Sequence, residues 1–245
     1  MSLIICHSAK GGVGTTFIAA QLALRIAKRG HSVTAIDFTY QDSLKLHFGL
    51  LPRQALPSLA QGSSQALAIA DVELFHAYEE RRKEGFCANV ARHGLPVAKD
   101  RFLIVDVSAN DRELFDALYP LADLHIAALL PDPASLASMT RLNGDTPITR
   151  MERTALVLNQ LDDRRKLSRH SHRFVKELFA DQLIGTIRRD EGVAEALAMF
   201  ETLEKAAPHS VAPPDLELLT EAVLARCENR HHSAREGIET PHHAG

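Results

Sequence analysis

The sequence predicts an α/β protein built on a doubly wound, mainly parallel sheet with helices on both faces. One observation is that short apolar runs alternate several times with helix-compatible stretches, the order that builds such a sheet. Another is that the first run, Leu3-Ile4-Ile5-Cys6, is continuously apolar, as expected for a central strand that is buried on both faces. A third is that 245 residues, 45% of them hydrophobic, can bury one sizeable core without disulfides or metals. The predicted strands are 3–6, 32–37, 102–106, 124–130, 154–159 and 183–187.

The first predicted strand leads into a glycine-rich segment, SAKGGVGTT, at positions 8–16. An apolar helix pattern follows over 17–26 and ends at the sequence KRG of 28–30, which is typical of a helix C-terminus. A glycine-rich turn before a helix N-terminus presents backbone N–H groups to an anion. The alternative is an ordinary tight turn, but three glycines, a lysine and two threonines within seven residues favour a phosphate-binding loop.

The loop departs from the common phosphate-loop pattern at one position. In G-x-x-x-x-G-K-[ST] the lysine contacts the outer phosphates and the final hydroxyl ligates Mg²⁺. Here Thr15 stands at the lysine position, Thr16 at the hydroxyl position, and Lys10 immediately before a glycine pair. We expect the loop to bind a nucleotide with Mg²⁺ through its amides and Thr16. The nucleotide-binding residues predicted in the loop are Lys10, Gly11, Gly12, Val13, Gly14, Thr15 and Thr16.

Three predicted strands end in a polar residue, namely Asp37, Asp106 and Asn159. Ligands bind at the carboxyl ends of the strands in such sheets, so these residues are site candidates. Asp106 ends a four-residue apolar run and is predicted to hold Mg²⁺ through water. Asp37 would face the γ-phosphate side and belong to the metal shell. For both aspartates the alternative is a helix N-cap.

Several segments together resemble the MinD/ParA group of ATPases. The loop of that group, K-G-G-x-G-K-[ST], is matched except at Thr15, and its D-x-D-x-Q motif is matched by Asp37 and Gln41 but not by Thr39. Three later runs also resemble the group. They are ADLHIAALLPDPASL at 122–136, VLNQLD at 156–161 and IGTIRRDEGVAEAL at 184–197. The resemblance covers nearly everything from residue 1 to residue 225.

This resemblance implies ATP and Mg²⁺ as ligands and a homodimer that encloses the nucleotides. Lys10 would reach across the dimer to the phosphates held by the partner subunit. Asn159 would read adenine, and Arg188 and Asp190 would belong to the adenine-side loop. Lys10 and Asp37 are the residues that would act in catalysis.

Hydrolysis is expected to be slow or absent, because Thr15 and Thr39 replace a lysine and an acid of the group. A charge-assisted contact is about twice as strong as a neutral one, so losing the lysine weakens phosphate contacts in the monomer. A threonine hydroxyl is a far weaker base than a carboxylate, so Thr39 orients an attacking water less well.

The two departures together resemble the BcsQ subgroup, which is encoded with bacterial cellulose synthase. This resemblance implies an ATP-dependent switch or scaffold that supports assembly, localisation or regulation of the synthase, with small accessory proteins and the synthase complex as partners. We expect a cytoplasmic protein that reaches the inner-membrane face only through partners, since no signal peptide or membrane-spanning stretch is evident. Two alternatives remain: a ParA-like DNA-partitioning or cell-positioning ATPase, and a degenerate scaffold without nucleotide.

Other segments carry weaker expectations. Residues 164–176, RRKLSRHSHRFVK, form a basic surface helix that is either a solvated face or a contact for an acidic partner, nucleoid or anionic membrane. Nucleic-acid binding is not expected, because the net charge is -3 and aromatic residues in this segment are few. Residues 52–85 are predicted to be irregular surface structure with a helical end. We expect one domain over 1–227 and a disordered, His-rich tail over 228–245.

Overall fold

The computed structural model describes residues 1–61, 66–142 and 146–236. Its centre is an eight-stranded sheet in the order β3-β4-β2-β5-β1-β6-β7-β8, in which every neighbouring pair is parallel except β3 and β4. This confirms the predicted fold class. The strands are β1 Ser2–Cys6, β2 Val33–Asp37, β3 Leu67–Ile69, β4 Val72–His76, β5 Phe102–Asp106, β6 Leu124–Leu129, β7 Thr154–Leu161 and β8 Leu183–Arg188.

Helices cover both faces of the sheet, so the core is divided into two hydrophobic clusters. One cluster packs α1, α7, α8 and α9 against the sheet, and the other packs α3, α4 and α6 against the opposite face. Adjacent residues of β1, such as Ile4 and Ile5, point into different clusters because successive strand side chains alternate. The helices are α1 Thr15–Lys28, α2 Tyr78–Arg81, α3 Phe86–His93, α4 Arg112–Leu118, α5 Pro133–Ser138, α6 Lys166–Phe179, α7 Glu191–Ala198, α8 Leu203–Ala206 and α9 Ala212–Glu236.

The segment 52–85 differs from the sequence prediction, because it contributes two strands to the sheet. β4 pairs with β2 in parallel and β3 covers its outer edge as an antiparallel hairpin. Ala70 and Asp71, the two residues between the strands, have φ values of 48° and 62°, as a tight hairpin turn requires. The irregular structure predicted here is therefore wrong for β3 and β4. β3 has only three residues, which is too short for a strand pattern to be recognised in the sequence. The turn also lacks the glycine that would have indicated a hairpin.

Ion pairs connect the first helix, α1, to α8 and α9. Arg25 of α1 is 3% exposed and forms ion pairs with Glu204 at 2.8 Å and Glu217 at 3.3 Å, and Arg29 pairs with Glu217 at 2.8 Å. These charges join α1 to α8 and α9 beside the apolar contacts of the first cluster. Salt bridges with one partner fully buried are costly to break, since they leave an unpaired charge inside.

The domain boundary predicted at residue 227 falls within α9, which continues to Glu236. Its buried residues Val223 and Cys227 continue the apolar contact up to that boundary. Residues 237–245 of the predicted tail lie outside the described residues. Among the described residues, no helix is long and apolar enough to cross a membrane.

Candidate functional site

A cleft with a volume of about 600 Å³ lies at the carboxyl edge of the sheet. It is bounded by the loop after β1, the loops after β2 and β5, the end of β7 and the N-terminal part of α7. The structure therefore brings together most of the predicted site residues. Those that line the cleft are Lys10, Gly11, Gly12, Gly14, Thr15, Thr16, Asp106, Asn159, Arg188 and Asp190, whereas Val13 and Asp37 lie behind it.

The glycine-rich loop ends at an open helix N-terminus. Gly12 and Gly14 have φ values of 75° and 90°, which side chains rarely tolerate, and Gly14 is the N-cap residue of α1. No side chain caps this helix and its first turn contains no acidic residue. The first backbone N–H groups of α1 therefore remain available to an anion, and the helix dipole favours negative charge there.

Thr15 lines the cleft, but its side chain is engaged within the loop. Its hydroxyl donates a hydrogen bond to Ser8 Oγ at 2.9 Å. Ser8 Oγ also accepts the Ala128 N–H at 2.9 Å, which fixes the start of the loop to β6. Thr15 thus stabilises the loop, and it places no charge near a bound phosphate.

Thr16 and Asp106 form the candidate Mg²⁺ position. Asp106 is 1% exposed, and its Oδ2 has no hydrogen-bond partner among the described residues. Burial, followed by the charge of neighbouring Asp37, raises the pKa of Asp106 to about 8, although a hydrogen bond from Thr16 opposes this rise. A hard cation would offset both the burial of the Asp106 charge and its repulsion by Asp37. Carboxylate and hydroxyl oxygens are ligands that Mg²⁺ accepts. The residues present therefore fit Mg²⁺.

The protein does not supply a complete metal cage by itself. In the described ranges, no group of three or more His, Cys, Asp or Glu residues could hold a metal ion. Mg²⁺ usually keeps one or two carboxylates and completes its shell with waters and substrate phosphates. The site is thus suited to a metal that arrives with a nucleotide.

Asp37 is next to Asp106 in the sheet register, but its carboxylate is engaged with the following loop. Oδ1 accepts the Thr39 N–H at 2.7 Å, and Oδ2 accepts the Leu44 N–H at 3.0 Å. Burial raises the pKa of Asp37, while these hydrogen bonds oppose the rise. The geometry gives Asp37 a role in shaping the loop after β2. Its metal-binding and catalytic roles stay predictions.

Lys10 lies at the mouth of the cleft with 37% of its side chain exposed. Its Nζ is 3.6 Å from Asp132 Oδ1, and Asp132 is also the N-cap of α5 through a 2.8 Å bond from the Ser135 N–H. An ion pair this exposed contributes at most about 1 kcal/mol. Lys10 can therefore leave Asp132 at low cost and turn to another anion.

Asn159 connects the phosphate loop to the far end of the cleft. Its Nδ2 donates to the Val13 carbonyl at 2.8 Å, and its Oδ1 accepts the Gln160 N–H at 2.9 Å. A Cβ added at Gly14 would lie 2.2 Å from Asn159 Nδ2. Gly14 is thus required both by its backbone angle and by this close approach, and Val13 contributes its carbonyl rather than its buried side chain.

Arg188 and Asp190 shape the far end mainly through contacts with neighbouring elements. The Arg188 guanidinium forms a bidentate pair with Asp215 at the start of α9. Asp190 caps α7 through the Gly192 N–H and accepts the Ser210 hydroxyl and the Val211 N–H. Both residues line the cleft. Their hydrogen bonds to α9 and to the residues just before it hold the loop after β8 in place.

Sequence reasoning missed several cleft residues because they lie in no recognised motif. Ser108 and Asn110 follow β5, and their only signal was their position just after the Asp106 strand. The far end has an apolar wall suited to a flat ring, formed by Phe17, His47, Ile187, Val193 and Leu197. Burial lowers the pKa of His47 to about 4, so this ring is neutral at pH 7.

Comparison of the sequence with known protein families relates most of the chain to one of them. A sequence profile for the CobQ/CobB/MinD/ParA nucleotide binding domain matches residues 4–203. A comparison with curated protein sequences finds no significant match.

Solved structures share the fold at low sequence identity. A ParA family ATPase from Chlorobium tepidum has a TM-score of 0.71 and 18% identity, over 91% of this chain and 97% of that one. The MinC:MinD cell division protein complex of Aquifex aeolicus has a TM-score of 0.71 and 16% identity, over 92% and 96%. The septum site-determining protein MinD with Mg-ADP from Pyrococcus horikoshii has a TM-score of 0.69 and 16% identity, over 91% and 95%. At these identities the likeness shows the fold.

Proposed function

Because the chain belongs to the family of CobQ/CobB/MinD/ParA nucleotide-binding domains, we propose that it binds ATP with Mg²⁺ and uses the nucleotide to form a homodimer. The dimer would act as a switch or scaffold rather than as a fast ATPase. Thr16 and Asp106 would hold Mg²⁺, which would neutralise phosphate charge. The open N-terminus of α1 would bind the phosphates, and the apolar wall beyond Asn159 would receive the base.

One observation supports the dimer above the others: the loop has a weakly paired, partly exposed lysine at its mouth and a threonine where the common pattern has a lysine. Lys10 is half-exposed and weakly paired, whereas Thr15 is engaged with Ser8. A phosphate bound at α1 would therefore lack a lysine at the position that Thr15 occupies. A second copy facing the cleft could supply Lys10 in trans, and each nucleotide would then join two subunits.

The phosphate end of the cleft also supports slow hydrolysis. The acidic residues among the cleft-lining side chains are Asp106, Asp190 and Glu191, and the latter two lie at the far end on the α7 side. The groups near the loop after β2 are Thr39, Gln41 and Ser43, which are weak bases. With Asp106 assigned to the metal, no free carboxylate of the described residues is placed to activate a water.

The biological setting of this switch is proposed from the sequence departures alone. Thr15 and Thr39 together resemble the BcsQ subgroup, which supports a role beside cellulose synthase with small accessory proteins at the inner-membrane face. Copurification of the synthase complex with tagged chain from the native cell tests this role. Recovery of a DNA-partition complex in its place would favour the ParA-like alternative.

The central proposal is tested by sedimentation with and without Mg-ATP. The wild-type chain should be monomeric alone and dimeric with Mg-ATP, and Lys10→Ala should remain monomeric while still binding a fluorescent ATP analogue. Lys99→Ala, at an exposed lysine outside the cleft, is the matched control and should dimerise. Phosphate release should stay well below about one per second, the low end for ordinary enzymes. A dimer that forms equally well with Lys10→Ala, or an absence of ATP binding, contradicts the proposal.

A further inference from the structure

We infer that Arg81 of α2 is a positioning residue that makes the cleft selective for a nucleoside triphosphate over a diphosphate. Arg81 does not line the cleft and acts through Asp111, which directly follows the cleft-lining residues after β5. Arg81 ends a short stretch, residues 76–81, that we call the 76–81 segment. The inference rests on the proposed function, because it concerns the nucleotide that the cleft would bind.

The order of the strands indicates where the last phosphate of a bound nucleotide would lie. β5 and β2 follow β1 on one side of the sheet, whereas β6, β7 and β8 follow it on the other. A base placed beyond Asn159 lies on the side of β7 and β8. With the inner phosphates at the N-terminus of α1, the third phosphate would point toward the loops after β5 and β2. The side chains that line this end include Ser108, Asn110, Thr39 and Gln41.

Arg81 holds the turn after β5 through a two-point ion pair. Its Nε donates to Asp111 Oδ2 and its Nη2 to Asp111 Oδ1, both at 2.7 Å, although only 18% of the Arg81 side chain is exposed. The Asp111 N–H donates to the Ser108 carbonyl at 3.0 Å and thereby closes the turn that contains Asn110. A bidentate pair restricts orientation as well as distance. Arg81 therefore fixes the base of a turn whose other residues face the cleft.

The 76–81 segment also holds the loop after β2. The Ala77 N–H donates to the Asp37 carbonyl at 2.9 Å, and His76 Nε2 donates to the Thr39 carbonyl at 3.0 Å. One short segment outside the cleft thus supports both loops of the phosphate end. A loop that is already ordered loses less conformational entropy when it binds a ligand. This support should therefore raise the affinity for a ligand that reaches the two loops, which a triphosphate does and a diphosphate does not.

The chain contains a second ion pair that separates positioning from simple stabilisation. Arg101 is 15% exposed and pairs with Glu73 of β4, so its surroundings resemble those of Arg81. It directly precedes β5, however, and lies at the amino edge of the sheet, outside the cleft. Loss of either pair should lower stability to a similar extent. Only the loss of the Arg81 pair should change which nucleotide is preferred.

The test compares the affinities for Mg-ADP and for a non-hydrolysable Mg-ATP analogue, at a chain concentration low enough to prevent dimer formation. The wild type should bind the analogue about tenfold more tightly than ADP, because only the analogue carries a third phosphate for the two loops. Arg81→Met should remove most of this preference by weakening analogue binding, with ADP affinity changed less than about twofold. Asp111→Asn can still cap α4 and should shift the ratio in the same direction.

Arg101→Met is the control and should keep the wild-type ratio, while urea unfolding should show a similar loss of stability in Arg101→Met and Arg81→Met. The inference is overturned if both Arg81→Met and Asp111→Asn keep the wild-type ratio, if both affinities fall equally, or if Arg101→Met shifts the ratio as much. In those cases nucleotide binding by the wild type would still stand. A wild-type chain that binds neither nucleotide would instead overturn the proposed function, and this inference with it.

Discussion

The Thr15 hydroxyl donates to Ser8 Oγ at 2.9 Å, and this bond closes the phosphate loop on itself. Through the Ala128 N–H that Ser8 also accepts, the loop is attached to β6. The residue that stands where related loops carry a lysine has therefore become part of the loop framework. Binding would depend on backbone amides, and turnover would lack a cation in cis.

Replacing Thr15 by lysine should restore that cation. We expect Thr15→Lys to bind a fluorescent ATP analogue about tenfold more tightly, because charge-assisted contacts to phosphate are worth about 1.5–3 kcal/mol. Loss of the bond to Ser8 should lower the free energy of unfolding by about 1 kcal/mol. Thr15→Val, which loses the same bond without adding charge, should be destabilised similarly and bind no more tightly. Unchanged affinity in Thr15→Lys would show that the cleft does not place phosphate at this position.

Removing the charge of Asp132 should free Lys10 for the partner subunit. Asp132→Asn keeps a side chain that can cap α5 but breaks the ion pair, so the ATP-dependent dimer should form at a few-fold lower ATP concentration. Sedimentation over an ATP titration measures this shift. Asp71→Asn, in the β3–β4 turn, is the control and should behave as the wild type. If Asp132→Asn requires more ATP instead, Asp132 assists dimerisation rather than competing for Lys10.

Gly14 should not tolerate a side chain, whereas Gly11 should. A Cβ at Gly14 would overlap Asn159 Nδ2, and its φ of 90° disfavours any other residue. Gly14→Ala should therefore lose ATP binding and lower the free energy of unfolding by about 1–3 kcal/mol. Gly11→Ala, where a Cβ meets nothing within 4 Å, should fold normally. Equal stability of the two variants, measured by urea unfolding, would contradict this account of the loop.

The buried histidine behind the loop should make the fold sensitive to acid. His125 Nε2 donates to the His7 carbonyl at 3.0 Å, Nδ1 lies 2.9 Å from Thr154 Oγ1, and burial lowers the pKa of His125 to about 3. The pKa of this histidine in the unfolded chain is about 6.5. At pH values between about 6.5 and about 3, the unfolded chain therefore binds a proton at His125 and the folded chain does not. The stabilisation is thus complete above about pH 6.5 and is lost by up to about 1.4 kcal/mol per pH unit as the pH falls.

Urea unfolding from pH 7.5 to pH 5 measures this slope. His125→Gln should be less stable at pH 7.5 and show a shallower dependence on pH. A residual slope should remain, because burial also lowers the pKa of His7, to about 4. His93→Gln, at an exposed histidine of α3, should keep the wild-type slope. An unchanged slope in His125→Gln would assign the acid sensitivity to other groups.

Tyr40 should report on the occupancy of the cleft. Its neighbours Thr39 and Gln41 line the cleft, while its own ring is 76% exposed and lies 5.4 Å from the ring of Tyr78. The chain has no tryptophan and three tyrosines, so intrinsic fluorescence is dominated by tyrosine. Mg-ATP should change this emission in the wild type and in Tyr119→Phe but much less in Tyr40→Phe. A full change in Tyr40→Phe would mean that the loop after β2 does not respond.

The parts of the fold that sequence could predict are those whose residues meet strong local constraints. Short, largely apolar runs alternating with helical stretches identified β1, β2, β5, β6, β7 and β8. The β3–β4 hairpin was not predicted, because β3 has only three residues, Glu73 interrupts the apolar residues of β4, and the turn residues Ala70 and Asp71 include no glycine. The glycine loop was predictable because only glycine meets its backbone angles at low cost.

In the candidate site, too, some features follow from local sequence and others depend on how distant parts of the chain fold together. The loop and Asp106 follow from local sequence, and the structure brings them together in one cleft. The hydrogen bonds of Asp37 to the Thr39 and Leu44 amides could not be foreseen, because they depend on how the loop after β2 folds back. The same holds for Arg188, whose partner Asp215 is 27 residues away in the chain.

The ion pairs of Arg25 and Arg29 with α8 and α9 have a consequence for the order in which the chain is made. The phosphate loop is synthesised before these acidic residues, so the C-terminal half of the helix behind it lacks Glu204 and Glu217 until the chain has grown through α8 and the start of α9. A partly made chain would therefore expose a loop that cannot yet hold ligand firmly. Nucleotide binding would then distinguish chains that contain α8 and α9 from chains that stop before these helices.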